Sequence, residues 1–335
     1  MILRALAILI FIATVIAPAA AQERLLVVTQ RSAANGALFI AAVRGYFKAE
    51  GLDLQMGAYS TTREVVEAVA SGRAEFGLTE LTPAGFNLAG QGAIKLVAAQ
   101  AREERNYEGA ELVASNAAYA KGLQKFEDLA GKTVTIETLG TAPHYELAEI
   151  ARSKQFALSG VNVDALYSFA DIVKAVETGK VDAAILPSQY VRDLLGSNQA
   201  HLIGWISEIT EPQTGALFAA VAAIKSKHAA VEKFVRAYRR GVADYAQALL
   251  RHDRFSKRVS DSLSREAAGI IARYVDPDHA AAAAVIEASA PFIDPKARID
   301  VADIERQLAW YKEQGFVEKD VEARDVVDLS FTAGD

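Results

Sequence analysis

Apolar residues along this chain switch repeatedly between a strand spacing and a helical one. Leu25 to Thr29 is a β-branched apolar run that predicts a buried strand. From Ala37 to Glu50 the apolar positions 38, 41, 42, 46 and 47 fall at helical spacing, and Gly51 ends the run. Leu52, Leu54 and Met56 then alternate as a strand. Ser60, Thr61 or Thr62 can cap the next helix, whose buried face carries Val65, Val66 and Val69; Gly72 stands where a left-handed C-terminal residue is wanted. Phe76 to Leu78 and Ile94 to Ala99 are further strands. This strand–helix alternation predicts parallel sheets flanked by helices.

The order restarts at Lys132. Glu64-Val-Val-Glu-Ala-Val-Ala-Ser-Gly72-Arg-Ala-Glu75-Phe-Gly-Leu78 recurs 107 residues later as Asp171-Ile-Val-Lys-Ala-Val-Glu-Thr-Gly179-Lys-Val-Asp182-Ala-Ala-Ile185. At the same offset Leu25 to Gln30 falls on Lys132 to Glu137, and Leu202 to Ile206 matches the Ile94 strand. Two similar lobes predict a cleft that closes on a small molecule. Tyr107 to Glu111 and Glu211 to Gly215 are the candidate crossing segments. They divide the chain into a discontinuous lobe 1 (22–108 and 216–335) and a lobe 2 (109–215). The C-terminal third reads as helical, with runs at Ala229 to Leu250, one capped by Ser264, Ala280 to Ala290, and one capped by Asp300. It is expected to pack on lobe 1, ending near Val326 to Phe331.

Composition narrows the class. The 335 residues are 51% apolar and 23% charged with a formal net charge of −6, which fits a globular chain and leaves no basic, aromatic-interleaved surface for nucleic acid. Residues 1–21 read as a cleaved signal peptide: Arg4 is the positive start, Ala5 to Ile16 the short apolar stretch, and Ala19-Ala20-Ala21 the cleavage point. There is no cysteine, hence no disulfide, thiolate site or lipid-modified Cys. An exported chain without such an anchor is expected in the periplasm, as a monomer.

No dinucleotide or phosphate-loop motif and no nucleophile elbow is present, and the five histidines stand at no metal-ligand spacing. No catalytic residue, metal or cofactor is expected.

Gly36 to Leu54, Ala70-Ser-Gly72-Arg-Ala-Glu75-Phe-Gly, Asp128-Leu-Ala-Gly131-Lys-Thr-Val and Gly179-Lys-Val-Asp182-Ala-Ala together resemble the substrate-binding proteins of ABC transporters, in the group for nitrate, sulfonates, taurine and thiamine-pyrimidine precursors. The resemblance spans roughly Leu25 to Ile206. It implies a type II-like periplasmic binding fold of two mixed, mainly parallel sheets joined by two hinge segments, ligand capture between the lobes, and delivery to an inner-membrane permease. The resemblance also implies that some enzymes share the fold, including a pyrimidine synthase with a cysteine-rich motif; the absence of cysteine and the export signal weigh against that reading. An exported lyase or hydrolase using Glu80, His144 or Asp171, or a ligand sensor for a signalling partner, are the alternatives.

Ligands in α/β sheets bind beyond the carboxyl ends of strands. That rule selects Gln30, Ser32, Asn35 and Gly36; Ser60, Thr61 and Thr62 at a helix start whose free N–H groups would favour an anion; Thr79 and Glu80; and Arg102. In lobe 2 it selects Thr141, His144, Tyr145, Phe169, Ser188 and Tyr190. The alternatives are that Thr61 and Thr62 serve only as caps and the aromatic residues as core or rim. Arg31, Arg102 and Arg105 favour an acidic ligand, a sulfonate, carboxylate or heteroaromatic acid; Glu80 favours an amine or ring N–H.

Overall fold

The computed structural model describes residues 22–332; the expected signal peptide lies outside them. Ten strands are formed: β1 (Glu23–Thr29), β2 (Leu52–Ala58), β3 (Phe76–Glu80), β4 (Ile94–Ala99), β5 (Ala110–Ser115), β6 (Thr133–Ile136), β7 (Asn162–Ala165), β8 (Ala183–Pro187), β9 (Ala200–Trp205) and β10 (Gly215–Ala220). They build two five-stranded sheets, in the orders β2-β1-β3-β10-β4 and β7-β6-β8-β5-β9. β1 runs parallel to β2 and β3, while β10 is inserted antiparallel between β3 and β4. The second sheet repeats this plan, with β6 parallel to β7 and β8, and β5 antiparallel between β8 and β9. Each antiparallel strand is the first one reached after the chain crosses between lobes, so each crossing ends by anchoring in the middle of a sheet.

The internal repeat survives atom by atom. Glu75 Oε2 accepts a hydrogen bond from Leu26 N (2.9 Å), and Asp182 Oδ2, 107 residues on, accepts one from Thr133 N (2.8 Å). An acidic residue just before β3 or β8 thus takes up an N–H of the adjacent strand β1 or β6 at the point where pairing begins.

Strand alternation sends successive side chains to opposite faces. In lobe 1, Leu25, Val27 and Leu217 face the helices Gly36–Val43, His228–Leu249 and Ser262–Val275; Phe76 stacks on Phe234 with ring centroids 3.8 Å apart. Val28 and Phe218 face the helices Thr62–Ala70, Pro83–Gly90 and Val301–Glu313. In lobe 2, Val134 and Ile185 pack on Leu147 and Ile150, and Ala184 and Leu186 on Ile172 and Val191. The C-terminal helices belong to lobe 1, where Asp328 N donates to Leu96 O on β4 (2.9 Å).

Two expected details differ. The run from Ala37 to Glu50 is broken, because Gly45 adopts φ +72° and the chain restarts as the short helix Tyr46–Ala49. The cap of Ser262–Val275 is Asp261, whose carboxylate accepts from Leu263 N and Ser264 N, with Ser264 completing a capping box.

Candidate functional site

The carboxyl ends of β1 and β3 bring one predicted group together. Gln30 Oε1 accepts from Thr79 Oγ1 (2.6 Å) and Thr62 Oγ1 (3.0 Å), and the two hydroxyls lie 3.1 Å apart. Glu80 follows directly at the end of β3.

Several other predicted residues have structural work. Asn35 is buried; its Nδ2 donates to Gln30 O (2.8 Å), and its Oδ1 accepts from Gln100 Nε2. Ser32 caps the turn Ala33–Asn35. Gly36 provides space: a Cβ there would lie 2.5 Å from Ile271 Cδ1. At the start of Thr62–Ala70 the expected free N–H groups are taken. Glu64 Oε2 accepts from Ser60 N (3.0 Å) and Thr61 N (2.9 Å), while Thr61 Oγ1 accepts from Glu64 N (3.2 Å). The chain's own carboxylate sits where an anion was expected, held ionised by the donors of Thr61.

Arg102 is likewise committed. It lies between β4 and the first crossing segment, bridged to Gln213 on the second, and its Nη2 donates to Glu211 O (3.1 Å). Glu104 and Asp300 provide its counter-charges at 3.4 and 3.7 Å. Arg105 Nη2 points to Glu208 O in the same region, and Arg31 is exposed. The expected ligand role of Arg102 therefore gives way to a role in the hinge. The second crossing segment is clamped as well: Asp303 Oδ2 accepts from Gln213 N (2.7 Å) and from Gln307 Nε2 (2.8 Å), whose other proton goes to Gln213 O (2.8 Å).

From lobe 2, the helix Ala142–Ser153 points its first turn at lobe 1. His144 Nδ1 accepts from Gly140 N (3.1 Å), and its ring meets the edge of Trp310 at 5.0 Å. Burial pushes the imidazole below its ordinary pKa, so it is a neutral ring with the proton on Nε2. Tyr145 is 1% exposed and packs with Trp310 and Tyr311 in the core of lobe 1. It anchors one lobe to the other rather than forming a cleft wall. Thr141 Oγ1 donates to Thr138 O (2.6 Å). Phe169 and Tyr190 stack on each other within lobe 2 at 4.8 Å, and Ser188 is buried with its N–H on Gly109 O.

Carboxyls of the two lobes raise one another's pKa values. Solvent reaches Glu80, yet protein walls it closely enough to raise its pKa to about 7, through loss of hydration and then repulsion from Glu137. Glu137, half-buried past the end of β6, is also raised by burial. Glu146 is 1% exposed, and burial together with Glu103 and Glu80 pushes it well above the usual carboxylate range. Glu103 and Glu111 are raised to about 7, burial leading in both. Sequence reasoning missed Glu137, although the 107-residue offset places it opposite Gln30.

A family model described as NMT1/THI5 like matches residues 33–248, well over half of the chain. The chain belongs to this NMT1/THI5-like family. Comparison with curated proteins gives no match. Among solved structures, the periplasmic aliphatic sulphonate binding protein SsuA of Escherichia coli is 14% identical, with 91% of this chain and 92% of that one covered and a TM-score of 0.70. A putative sulfonate-transporter SsuA of Methylobacillus flagellatus is 13% identical, with 93% of each chain covered and a TM-score of 0.72. The desulfurization enzyme DSZB is 13% identical, with 92% and 97% covered and a TM-score of 0.64. These likenesses establish the fold, the two-lobed architecture of periplasmic binding proteins, and bear out the resemblance read from the motifs. In this member of the family the matched span holds every predicted site residue except Gln30 and Ser32, which lie just before it.

Proposed function

We propose that this protein is a periplasmic solute-binding protein that captures a small organic solute between its lobes and hands it to an ABC permease. Lobe 1 comprises residues 22–108 and 216–335 and lobe 2 residues 109–215. The observation that carries the reading is the topology: two sheets of matching strand order joined by two crossing segments, with the Gln30–Thr62–Thr79 group and Glu80 at strand ends of lobe 1 and Glu137 just past the end of β6 in lobe 2. A solute bridging the two sets binds the closed arrangement more tightly than the open one, and so shifts the equilibrium toward it. The candidate contacts are Gln30, Thr62, Thr79, Glu80, Glu137 and Glu146, with Thr141 and His144 at the rim. Scattering by the mature protein should show compaction on addition of a tight ligand; no compaction with any tight ligand would overturn the reading. N-terminal sequencing of the exported protein should begin near Gln22.

The likeness to DSZB supports a second reading, an enzyme on the same scaffold with Glu80 or His144 as base. Turnover of the bound compound, abolished by Glu80→Gln with binding retained, would establish it.

A further inference from the structure

We infer that Arg192 is a releasable latch between the lobes, set against a fixed seat at Tyr145, so that the lobes part on the Arg192 flank first. The inference rests on the two-lobed receptor reading and adds where its movement begins.

The lobes touch on two flanks besides the crossing segments, and the two contacts lie on opposite faces of the sheets. In lobe 1, the helix Val301–Glu313 covers the face of Val28 and Phe218, while Ile286 of the helix Ala282–Ser289 packs on the opposite face with Val27 and Leu217. In lobe 2, Leu147 and Ile150 of Ala142–Ser153 cover one face, and Val191 of Ser188–Gly196 covers the other. Ala142–Ser153 meets Val301–Glu313 through Tyr145 and Trp310, and Ser188–Gly196 meets Ala282–Ser289. The crossing segments enter the sheets at β5 and β10, in the layer between these two contacts.

The contacts differ in chemistry. His144 and Tyr145 are buried, with rings 5.0 and 5.6 Å from that of Trp310, and a Cβ on Gly140 would lie 3.4 Å from Pro83 Cγ of lobe 1. Withdrawing this knot exposes several ring faces at once, a cost that salt does not screen. On the other flank Arg192 of lobe 2 is solvent-exposed. Its Nη2 donates to Ala288 O (3.0 Å) and pairs with Glu108 of the first crossing segment. Ala288 lies in the last turn of Ala282–Ser289, so the guanidinium takes up a carbonyl that the helix end leaves free and complements its dipole. Both charges of the pair are reached by solvent, and water replaces their hydrogen bonds when they part. The neighbouring cation Arg258 does not substitute, because its guanidinium is engaged within lobe 1 by Leu249 O (2.7 Å) and Ala290 O (3.0 Å). The Arg192 contact therefore yields before the aromatic one. Rotation of lobe 2 about the seated Tyr145 carries Ser188–Gly196 away from Ala282–Ser289, and the movement is one-sided.

The chain has no cysteine, so a pair of introduced thiols reports a single distance. Spin labels at Asp193→Cys and Ala284→Cys, both exposed positions, span the latch flank; labels at Ser153→Cys and Ala309→Cys span the Tyr145 flank. Double electron–electron resonance on the mature protein reads both distances, with Arg192 intact and as Arg192→Ala or Arg192→Lys. Arg192→Ala should raise the population of long distances on the latch flank about two- to fivefold and leave the Tyr145 flank unchanged. Raising NaCl from about 0.05 to 1 M should lengthen the latch flank when Arg192 is present and have little effect once it is Ala. Arg192→Lys, which keeps the charge but not the fork, should fall between the two. Because Arg192 is exposed, its variants fold, and a maintained melting temperature verifies this. An unchanged latch-flank distribution in Arg192→Ala, or a Tyr145 flank that lengthens as much, would overturn the inference. Neither result touches the receptor reading, which stands or falls on compaction by a tight ligand.

Discussion

Replacing Asp303 tests whether the C-terminal helices hold the hinge. Asp303 is 1% exposed, and its carboxylate accepts from Gln213 N (2.7 Å), Gln307 Nε2 (2.8 Å) and Arg306 Nη2 (3.1 Å). Gln213 lies on the crossing segment between the lobes, so its N–H has no neighbouring strand to take it up. Asp303→Ala strands that donor in the core and removes a charge-assisted bond, which should cost about 2–4 kcal/mol. Asp303→Asn keeps one oxygen for Gln213 N and Gln307 Nε2 and loses the charge and the Arg306 bond, at about 0.5–1.5 kcal/mol. The two variants should also differ with pH. Burial outweighs the donors and raises the folded-state pKa of Asp303 above 3.8. A raised carboxyl contributes stability below its unfolded pKa and loses it as pH climbs through the folded value. The wild-type advantage over Asp303→Asn should therefore shrink between pH 4 and pH 8. Urea unfolding at several pH values reads both effects. An Asn variant as unstable as the Ala variant, or a gap that widens with pH, would refute the assignment.

Tyr145→Ala empties a site in lobe 1 filled from lobe 2 and should cost about 3–4 kcal/mol; it should also enlarge the radius of gyration, and unchanged scattering would contradict the docking role. Gly77→Ala places a methyl 2.4 Å from Phe218 Cε2 and 3.0 Å from Val69 Cγ2, an overpacking cost of about 1–3 kcal/mol measurable by thermal melting. Thr61→Ala should lose about 1 kcal/mol as a missing N-cap, and Thr61→Ser almost none. The carboxyls of Glu80, Glu103 and Glu111, raised from 4.5 to about 7, contribute stability that is full below 4.5 and lost as pH rises through 7. The apo protein should melt higher at pH 5 than at pH 8, and Glu103→Gln should flatten the difference.

The sheets were legible because strand and helix periods alternate cleanly from Leu25 onward and then restart at a constant offset. The crossing segments were legible because Glu211-Pro-Gln-Thr-Gly215 interrupts that rhythm. The site was legible only in part. Strand-end reasoning placed Gln30, Thr79 and Glu80 at the carboxyl ends of β1 and β3 because that position follows from topology alone. It misassigned Arg102 and the Ser60–Thr61 amides because what occupies an ionic or capping partner is decided by tertiary contact: Glu64 is four residues away from Ser60, but Asp300 reaches Arg102 from the far end of the chain. Tyr145 read as a cleft aromatic for the same reason, since its partners Trp310 and Tyr311 arrive from the C-terminal third.

The two lobes, compared position by position, separate mechanical parts from chemical ones. The backbone-bracing acids Glu75 and Asp182, the caps Thr61 and Ser168, and the left-handed glycines Gly72 and Gly179 correspond at the 107-residue offset and perform the same task twice. These positions answer to the strand–helix joint, and any lobe of this plan needs them. At the strand ends the correspondence fails: Gln30 stands opposite Glu137, Thr62 opposite Phe169, and Glu80 opposite Pro187. A binding cleft built from two copies of one scaffold needs this asymmetry, because a small solute presents different groups to its two sides. On the proposed reading the positions that diverged are the ones offered to a solute, whereas those that match brace the strand–helix joint. Exchanging Glu137 for its counterpart, as Glu137→Gln, should change the affinity for the solute and leave urea stability within about 0.5 kcal/mol; a variant that loses stability while its affinity is unchanged would place Glu137 among the mechanical parts instead.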